Sequence, residues 1–280
     1  MELVHTVAGL KAVLELRKKQ GDLIGFVPTM GALHEGHLQL VREAGEQSDY
    51  VVVSIFVNPT QFNDKDDLKR YPRNLETDMA LLKKVPCSLV FAPSVEEIYP
   101  EEDKRVFDFG KIGEVMEGKH RPGHFNGVAQ VVSKLFAMVE PHKAFFGLKD
   151  FQQLAIVKKM VQQLKMNVEI VPCNIVREPD GLAMSSRNSL LKPEERTNAA
   201  LISKTLFEAL DKANELTVEA LKAWVIKTID ANPYLRTEYF EIVDDRELSA
   251  IGSWDDPVNK VGCIAVHCGS VRLIDNVTFS

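Results

Sequence analysis

From about Leu10 to Arg177 the chain alternates short continuous apolar runs with longer amphipathic stretches. The apolar runs are Leu23 to Val27, Tyr50 to Val57, Ser88 to Ala92, Lys143 to Phe146 and Val168 to Pro172. Each is short and bounded by turn residues, which predicts strands. Between them, Leu38 to Glu46, Leu75 to Lys84, Gly127 to Val139 and Phe151 to Leu164 repeat apolar positions at helical spacing. Strands that are apolar on consecutive residues are covered on both faces, as in a parallel sheet with helices on either side. The pattern therefore predicts an α/β fold with a Rossmann-like, doubly wound parallel sheet.

After Arg177 the order changes. A loop leads to two helical stretches, Pro193 to Lys212 and Thr217 to Ile229. Apolar runs then follow one another at Tyr239 to Val243, Val261 to Val266 and Val271 to Ile274. Helices followed by successive strands predict a smaller α+β unit. Residues 1–176 are expected to form the sheet domain and 177–280 the smaller C-terminal lid domain, with a ligand cleft between them.

Composition narrows the class. The 280 residues are 45% hydrophobic and 26% charged, enough for a sizeable core. Thirty-four Lys and Arg against 40 Asp and Glu give a net charge of -6, the wrong sign for a chain that wraps nucleic acid. Four cysteines without a CxxC pair point to buried thiols in a reducing compartment. No apolar stretch of membrane-spanning length and no leader pattern is present, so a cytoplasmic protein is expected, with neither nucleic acid nor membrane as partner.

The first chemical signal is Pro28-Thr-Met-Gly-Ala-Leu-His-Glu-Gly-His37, between the first predicted strand and a helix beginning near Glu35. A helix N-terminus beyond the carboxyl end of a strand favours phosphate. His34 and His37, three apart, can face the same way and donate hydrogen bonds to phosphoryl oxygens without a fixed charge. The pair would also suit a metal, but spacing supplies no third ligand. Neither GxGxxG nor GxxxxGK[ST] occurs here. The second signal is Val176-Arg-Glu-Pro-Asp-Gly-Leu-Ala-Met-Ser-Ser-Arg-Asn188, at the junction of the two units. Ser185, Ser186 and Arg187 suit phosphate oxygens; in isolation the segment also reads as a solvated turn with Ser185 as a cap.

An early HxGH with a late Met-Ser-Ser-Arg resembles the HxGH nucleotidyltransferases and class I aminoacyl-tRNA synthetases. Further segments narrow this: Phe56-Val-Asn-Pro-Thr-Gln-Phe62, Tyr71-Pro-Arg73, Arg121-Pro-Gly-His-Phe-Asn-Gly127 and Phe146-Gly-Leu-Lys-Asp-Phe-Gln-Gln-Leu154. In order and spacing, the chain resembles the pantothenate synthetase (pantoate–β-alanine ligase) family.

That resemblance implies an AMP-forming ligase that joins pantoate to β-alanine through a pantoyl adenylate, in the biosynthesis of pantothenate. ATP is a substrate, magnesium bridges its phosphates, and the protein is a homodimer. ATP would be held by Met30, Gly31, Ala32, Leu33, His34, Glu35, Gly36 and His37, by Gly147, Leu148, Lys149 and Asp150, by Val176 through its backbone, and by Met184, Ser185, Ser186 and Arg187. Of these, His37, His34, Lys149, Ser185, Ser186 and Arg187 would act on the phosphates. Gln61 and Gln153 would hold pantoate, with Asn58 and Tyr71 bordering the acid pocket and Arg121 and His124 extending a positive lining. Asp78 is a weak candidate to support magnesium. A mobile loop after Arg177 would serve as a lid. Leu148 departs from the polar or acidic residue common in the family, at a position that offers mainly its backbone. The alternatives are another HxGH adenylyltransferase, which leaves AMP in its product, and a nucleotide-binding module without turnover.

Overall fold

The computed structural model of the chain describes residues 1–63 and 65–279. Strands β1 (Glu2–Val4), β2 (Ile24–Thr29), β3 (Tyr50–Ile55), β4 (Leu89–Phe91), β5 (Lys143–Gly147) and β6 (Glu169–Cys173) form a wholly parallel sheet in the order β1-β4-β3-β2-β5-β6. Helices α1 (Val7–Gln20), α2 (Glu35–Gln47), α3 (Lys65–Arg70), α4 (Leu75–Leu82), α5 (Val95–Ile98), α6 (Met116–His120), α7 (His124–Val139) and α8 (Phe151–Gln163) connect the strands. Adjacent strand residues pack in opposite directions, as the two-residue period of a strand requires. Phe26, Val52, Phe91, Ala144 and Phe146 join one core with α1, α7 and α8. Val27, Val51, Val53, Val90 and Phe145 join the other with α2 and α4. The doubly wound sheet expected from the continuous apolar runs is present.

Five elements escaped the pattern: β1, α1 and the short helices α3, α5 and α6. β1 is a three-residue edge strand, too short for periodicity, and the buried Leu10 and Leu14 of α1 sit among charged neighbours. The helical stretch from Pro193 is two helices, α9 (Pro193–Ala199) and α10 (Leu201–Lys212), followed by α11 (Val218–Asp230). These pack on an antiparallel sheet of β7 (Leu235–Asp244), β8 (Lys260–Cys268) and β9 (Val271–Phe279). β9 runs beyond its expected end because Asp275 and Asn276, both buried, interrupt an apolar strand. The four cysteines are free and buried, and among the described residues no helix is long and apolar enough to cross a membrane.

The strand order positions the site. The chain winds from β2 outward through β3 to β4, then returns to add β5 on the other side of β2. A crevice opens beyond the carboxyl ends of two neighbouring strands whose connections leave in opposite directions. Pro28 widens it. Thr29 points its carbonyl toward the β3 side, where it accepts from the Phe56 N–H, so Pro28 faces β5. Lacking an N–H, Pro28 cannot extend that ladder, and β2–β5 pairing ends at Phe26 and Ala144 while β2–β3 pairing continues to Thr29 and Ile55.

The small sheet closes the open side. One face packs on its own helices, while Val243, Val261 and Cys263 enter the core of the large sheet. Beside them Arg272 on β9 donates to both oxygens of Glu117 on α6, at 2.6 and 2.9 Å, and also to Glu238 on β7. The Tyr239 hydroxyl donates to the same Glu117 carboxylate at 2.8 Å.

Candidate active site

The loop after β2 is held in an uncommon conformation. Gly31 has φ +80 and Ala32 φ +51, both left-handed. A methyl group on Gly31 would lie 2.9 Å from Asp78 Oδ2, so glycine answers both the dihedral and the close approach. Asp78 on α4 is buried and fixes the loop: Oδ2 accepts from the Ala32 N–H at 3.0 Å and Oδ1 from the Leu33 N–H at 2.8 Å. The residue considered as a magnesium support thus has both oxygens engaged by backbone.

His34 is the N-cap of α2. Its Nδ1 accepts from the Gly36 N–H at 3.2 Å, and the His34 N–H donates to His37 Nδ1 at 3.3 Å. The rings stand 4.1 Å apart between centroids. Burial, with the nearby Lys149 ammonium, lowers His34 to about 4. Burial, His34 and Lys149 hold His37 well below its ordinary value. Both rings are therefore neutral at neutral pH. Since each Nδ1 accepts, each proton resides on Nε2. The pair presents two uncharged N–H donors at a helix N-terminus, where an anion is already favoured.

Gly36 completes the motif by having no side chain: a methyl there would lie 2.9 Å from the His34 ring and 3.7 Å from Met184 Cβ. Met184 thus crosses over HxGH, and the two sequence clusters meet. Ser185 caps the turn Ser186–Leu190, accepting from the Arg187 N–H at 3.3 Å. The Ser186 and Tyr71 hydroxyls are 3.5 Å apart, and the Arg187 guanidinium lies 5.8 Å from the Tyr71 ring centroid. The loop after Arg177, expected to be mobile, is tied at its base. Arg177 bridges with Ala183, Glu178 bonds Leu182, Gly181 turns at φ +93, and the Arg177 guanidinium grips Asp275 at 2.7 and 3.0 Å. The Val176 carbonyl accepts from the Met184 N–H at 3.0 Å.

Across the crevice, Gly147 to Asp150 leave β5 in a tight turn that delivers Lys149 close enough to influence both histidines. Burial pulls the Lys149 ammonium below its usual value, and Asp150 and Asp275 act against that pull. Asp150 is exposed at the start of α8. Arg121, His124, Lys149, Gln153, Asp275 and Asn276 line one cavity; Ala32, Leu33, His34, Ser185 and Ser186 line another.

Gln61 is buried on the turn Pro59–Gln61. Asn58 holds it, donating to Gln61 Oε1 at 3.2 Å and to the Gly127 carbonyl at 3.1 Å, while its own oxygen accepts from the Tyr99 hydroxyl at 2.9 Å. Asn58 is therefore a buried support beneath Gln61. The Gln61 amide donates to the Met30 sulfur at 3.1 Å, a weak acceptor that an oxygen ligand would readily displace. His124 Nδ1 lies 2.9 Å from the Gln61 carbonyl and must be the donor. Burial lowers His124 to about 4, which corrects the expected positive lining: Arg121 carries charge there and His124 does not. Glu35 turns outward to Arg42.

Sequence reading missed Asp275 and Asn276. Asn276 donates to the carbonyls of Leu148 and Lys149 at 2.8 and 3.0 Å, so a strand of the small sheet helps build the site. Two consecutive polar residues inside a strand whose other polar residues, Arg272 and Thr278, stand singly were the available signal.

Residues 2–278 match the model of the pantoate-beta-alanine ligase family. A pantothenate synthetase of Porphyromonas gingivalis is 56% identical, with 100% of this chain and 99% of the relative covered. One of Bacteroides fragilis is 54% identical at the same coverage. A pantothenate synthetase structure from Thermus thermophilus superposes with a TM-score of 0.92 at 43% identity, covering 99% of both chains. A pantoate-beta-alanine ligase from Francisella tularensis, solved with β,γ-ATP and β-alanine, gives 0.84 at 34% identity, covering 99% of this chain and 97% of that one. The chain belongs to the pantoate-beta-alanine ligase family.

Proposed function

We propose that this chain condenses pantoate with β-alanine at the expense of ATP, forming pantothenate, AMP and pyrophosphate through a pantoyl adenylate. The observation that carries the site assignment is the pair of imidazoles whose Nδ1 atoms both accept backbone N–H bonds at the N-terminus of α2, which turns each Nε2 into the donor edge. Pantoate's carboxylate attacks the α-phosphorus and pyrophosphate departs. The protein needs no nucleophile of its own; it aligns the reactants and stabilises charge on phosphoryl oxygens. His34, His37, Ser185, Ser186 and Arg187 serve from one wall, and Lys149 from across the crevice. Gln61 and Gln153 hold the acid with amides that cannot compete with it as nucleophiles. The β-alanine amine then attacks the acyl carbon of the adenylate and AMP leaves. Asp150 faces the ribose, and the backbone at Val176 lies toward the adenine.

Magnesium enters as part of the substrate, bound to ATP. Among the described residues no group of three His, Cys, Asp or Glu could hold a metal. A small hard cation that keeps several waters and takes phosphate oxygens needs no such cage. A homodimer is part of this reading, resting on the family resemblance, and so is a cytoplasmic location, supported by four free buried thiols; sedimentation of the purified chain tests the dimer.

The test is AMP release across a panel of acids and amines, with and without magnesium. Pantoate with β-alanine and magnesium is the pair expected to turn over. Turnover only with another pair would overturn the substrates; AMP retained in the product would overturn the ligase reading.

Gly127 gives a second test. A methyl there would collide with the Thr60 carbonyl and lie 2.8 Å from Gln61 Cα, displacing the turn that holds Gln61. Gly127→Ala is expected to raise KM for pantoate by on the order of 10-fold, with about 1–3 kcal/mol lost in stability from overpacking. KM for ATP should change far less. An unchanged KM for pantoate would separate Gln61 from the acid subsite.

A further inference from the structure

β9 lies at the edge of the small sheet, in the order β7-β8-β9. An edge strand leaves backbone groups to be covered, and here the turn Leu148–Asp150 and the turn Ser186–Leu190 both pack against it. Burying Asp and Asn side by side in a strand costs stability unless each polar atom is satisfied. Both are. Asp275 is clamped by the Arg177 guanidinium at 2.7 and 3.0 Å and accepts from the Asn276 N–H at 2.8 Å. The Asn276 amide has two N–H bonds, and they go to the consecutive carbonyls of Leu148 and Lys149. One pair of residues therefore tethers both walls of the crevice: Arg177 at the root of the loop bearing Met184 to Arg187, and the backbone that carries Lys149. The Asp275 carboxylate also acts on the Lys149 ammonium.

We propose that Asn276 is a positioning residue for phosphate binding, fixing the backbone of Leu148 and Lys149 so that the lysine ammonium is aimed at the nucleotide. The small sheet is then part of the adenylation apparatus as well as a cover. This rests on the function proposed above, and its test separates the two. Pantoate-dependent exchange of pyrophosphate into ATP is measured for the wild-type chain, Asn276→Ala, Asn276→Ser, Lys149→Ala and the double variant Lys149→Ala with Asn276→Ala, at raised enzyme concentration where exchange is slow.

Asn276→Ala should lower the exchange rate about 10-fold, the size of one coupled contact, with KM for β-alanine in the full reaction within about twofold. Asn276→Ser, which keeps one short donor, should recover part of the loss. In the Lys149→Ala background, Asn276→Ala should cost less than about twofold, because a residue acting through Lys149 has nothing left to position. Full exchange in Asn276→Ala, or the same loss with and without Lys149, overturns the proposal. If Asn276→Ala does not fold, Asn276→Ser carries the same cycle with the same criteria. Absence of exchange in the wild-type chain would instead overturn the function on which the proposal rests.

Discussion

His37→Ala will lower pantoate-dependent exchange of pyrophosphate into ATP by on the order of 10²-fold, the typical loss of one preorganised donor to a reacting oxyanion. The imidazole is neutral in the free enzyme because burial, His34 and Lys149 all disfavour its charged form. Its Nδ1 is taken by the His34 N–H at 3.3 Å, which leaves Nε2–H as the donor. Removing the ring also removes one arm of the helix cap, at a cost of about 1 kcal/mol, so the protein stays folded. His37→Gln, whose amide can donate without charge, should retain more exchange than alanine. The pH profile carries an independent reading. Burial, with Lys149, brings His34 down to about 4, and burial, His34 and Lys149 hold His37 well below its ordinary value, so the acid limb that an ordinary histidine would place near pH 6.5 is expected to be absent from kcat/KM for ATP. A folded His37→Ala with undiminished exchange would remove His37 from the phosphates.

The largest effect on stability is expected at Arg272. Its guanidinium binds Glu117 and Glu238 together, and Glu117 is buried. Arg272→Met leaves that carboxylate without its main counter-charge, a loss of about 3–5 kcal/mol, or on the order of 10 °C in Tm. Burial alone pushes the Glu117 carboxyl up, but hydrogen bonds and charge from Arg272, with Arg121 and Tyr239, outweigh burial and hold it at about 2. A folded pKa below the unfolded one means stability is present above pH 4.5 and lost as pH falls toward about 2. That shift corresponds to about 3 kcal/mol, in line with the cost of breaking the pair. In Arg272→Met the burial cost is opposed only by Arg121 and Tyr239, so the Glu117 carboxyl rises, and the deficit relative to wild type should be greatest at neutral pH and narrow below about pH 4. Chemical denaturation at pH 7 and pH 4 checks this. An equal deficit at both values would show that lost packing, and not the ion pair, is responsible.

Much of the site was legible before the fold. Pro28 to His37 announces itself because a left-handed glycine, a helix cap and two imidazoles must all lie within ten residues. Met184 to Arg187 carries two hydroxyls and a guanidinium in one contiguous segment, while Gly147 to Asp150 was named only through the family resemblance. Asn58 and His124 were legible as members of the site, but not in role. Asn58 turned out to hold Gln61 from beneath, and His124 to be neutral, because burial and partners are properties of the packed molecule. Asp78 was a weak candidate to support magnesium on the family resemblance; in place, its oxygens pin the backbone of Ala32 and Leu33.

The sequence by itself determined the alternation of strands and helices and the parallel sheet, and it singled out the segments proposed to face phosphate, since each follows from neighbouring residues and their period. Only the tertiary structure decided that β2 and β5 flank the crevice, that Met184 crosses Gly36, and that Asp275 and Asn276 on β9 hold Arg177 and the backbone around Lys149. Residues 149 and 276 lie more than a hundred positions apart, and no local period links them. Their contact exists because the large sheet leaves one side of its crevice open and the small sheet has an edge to cover.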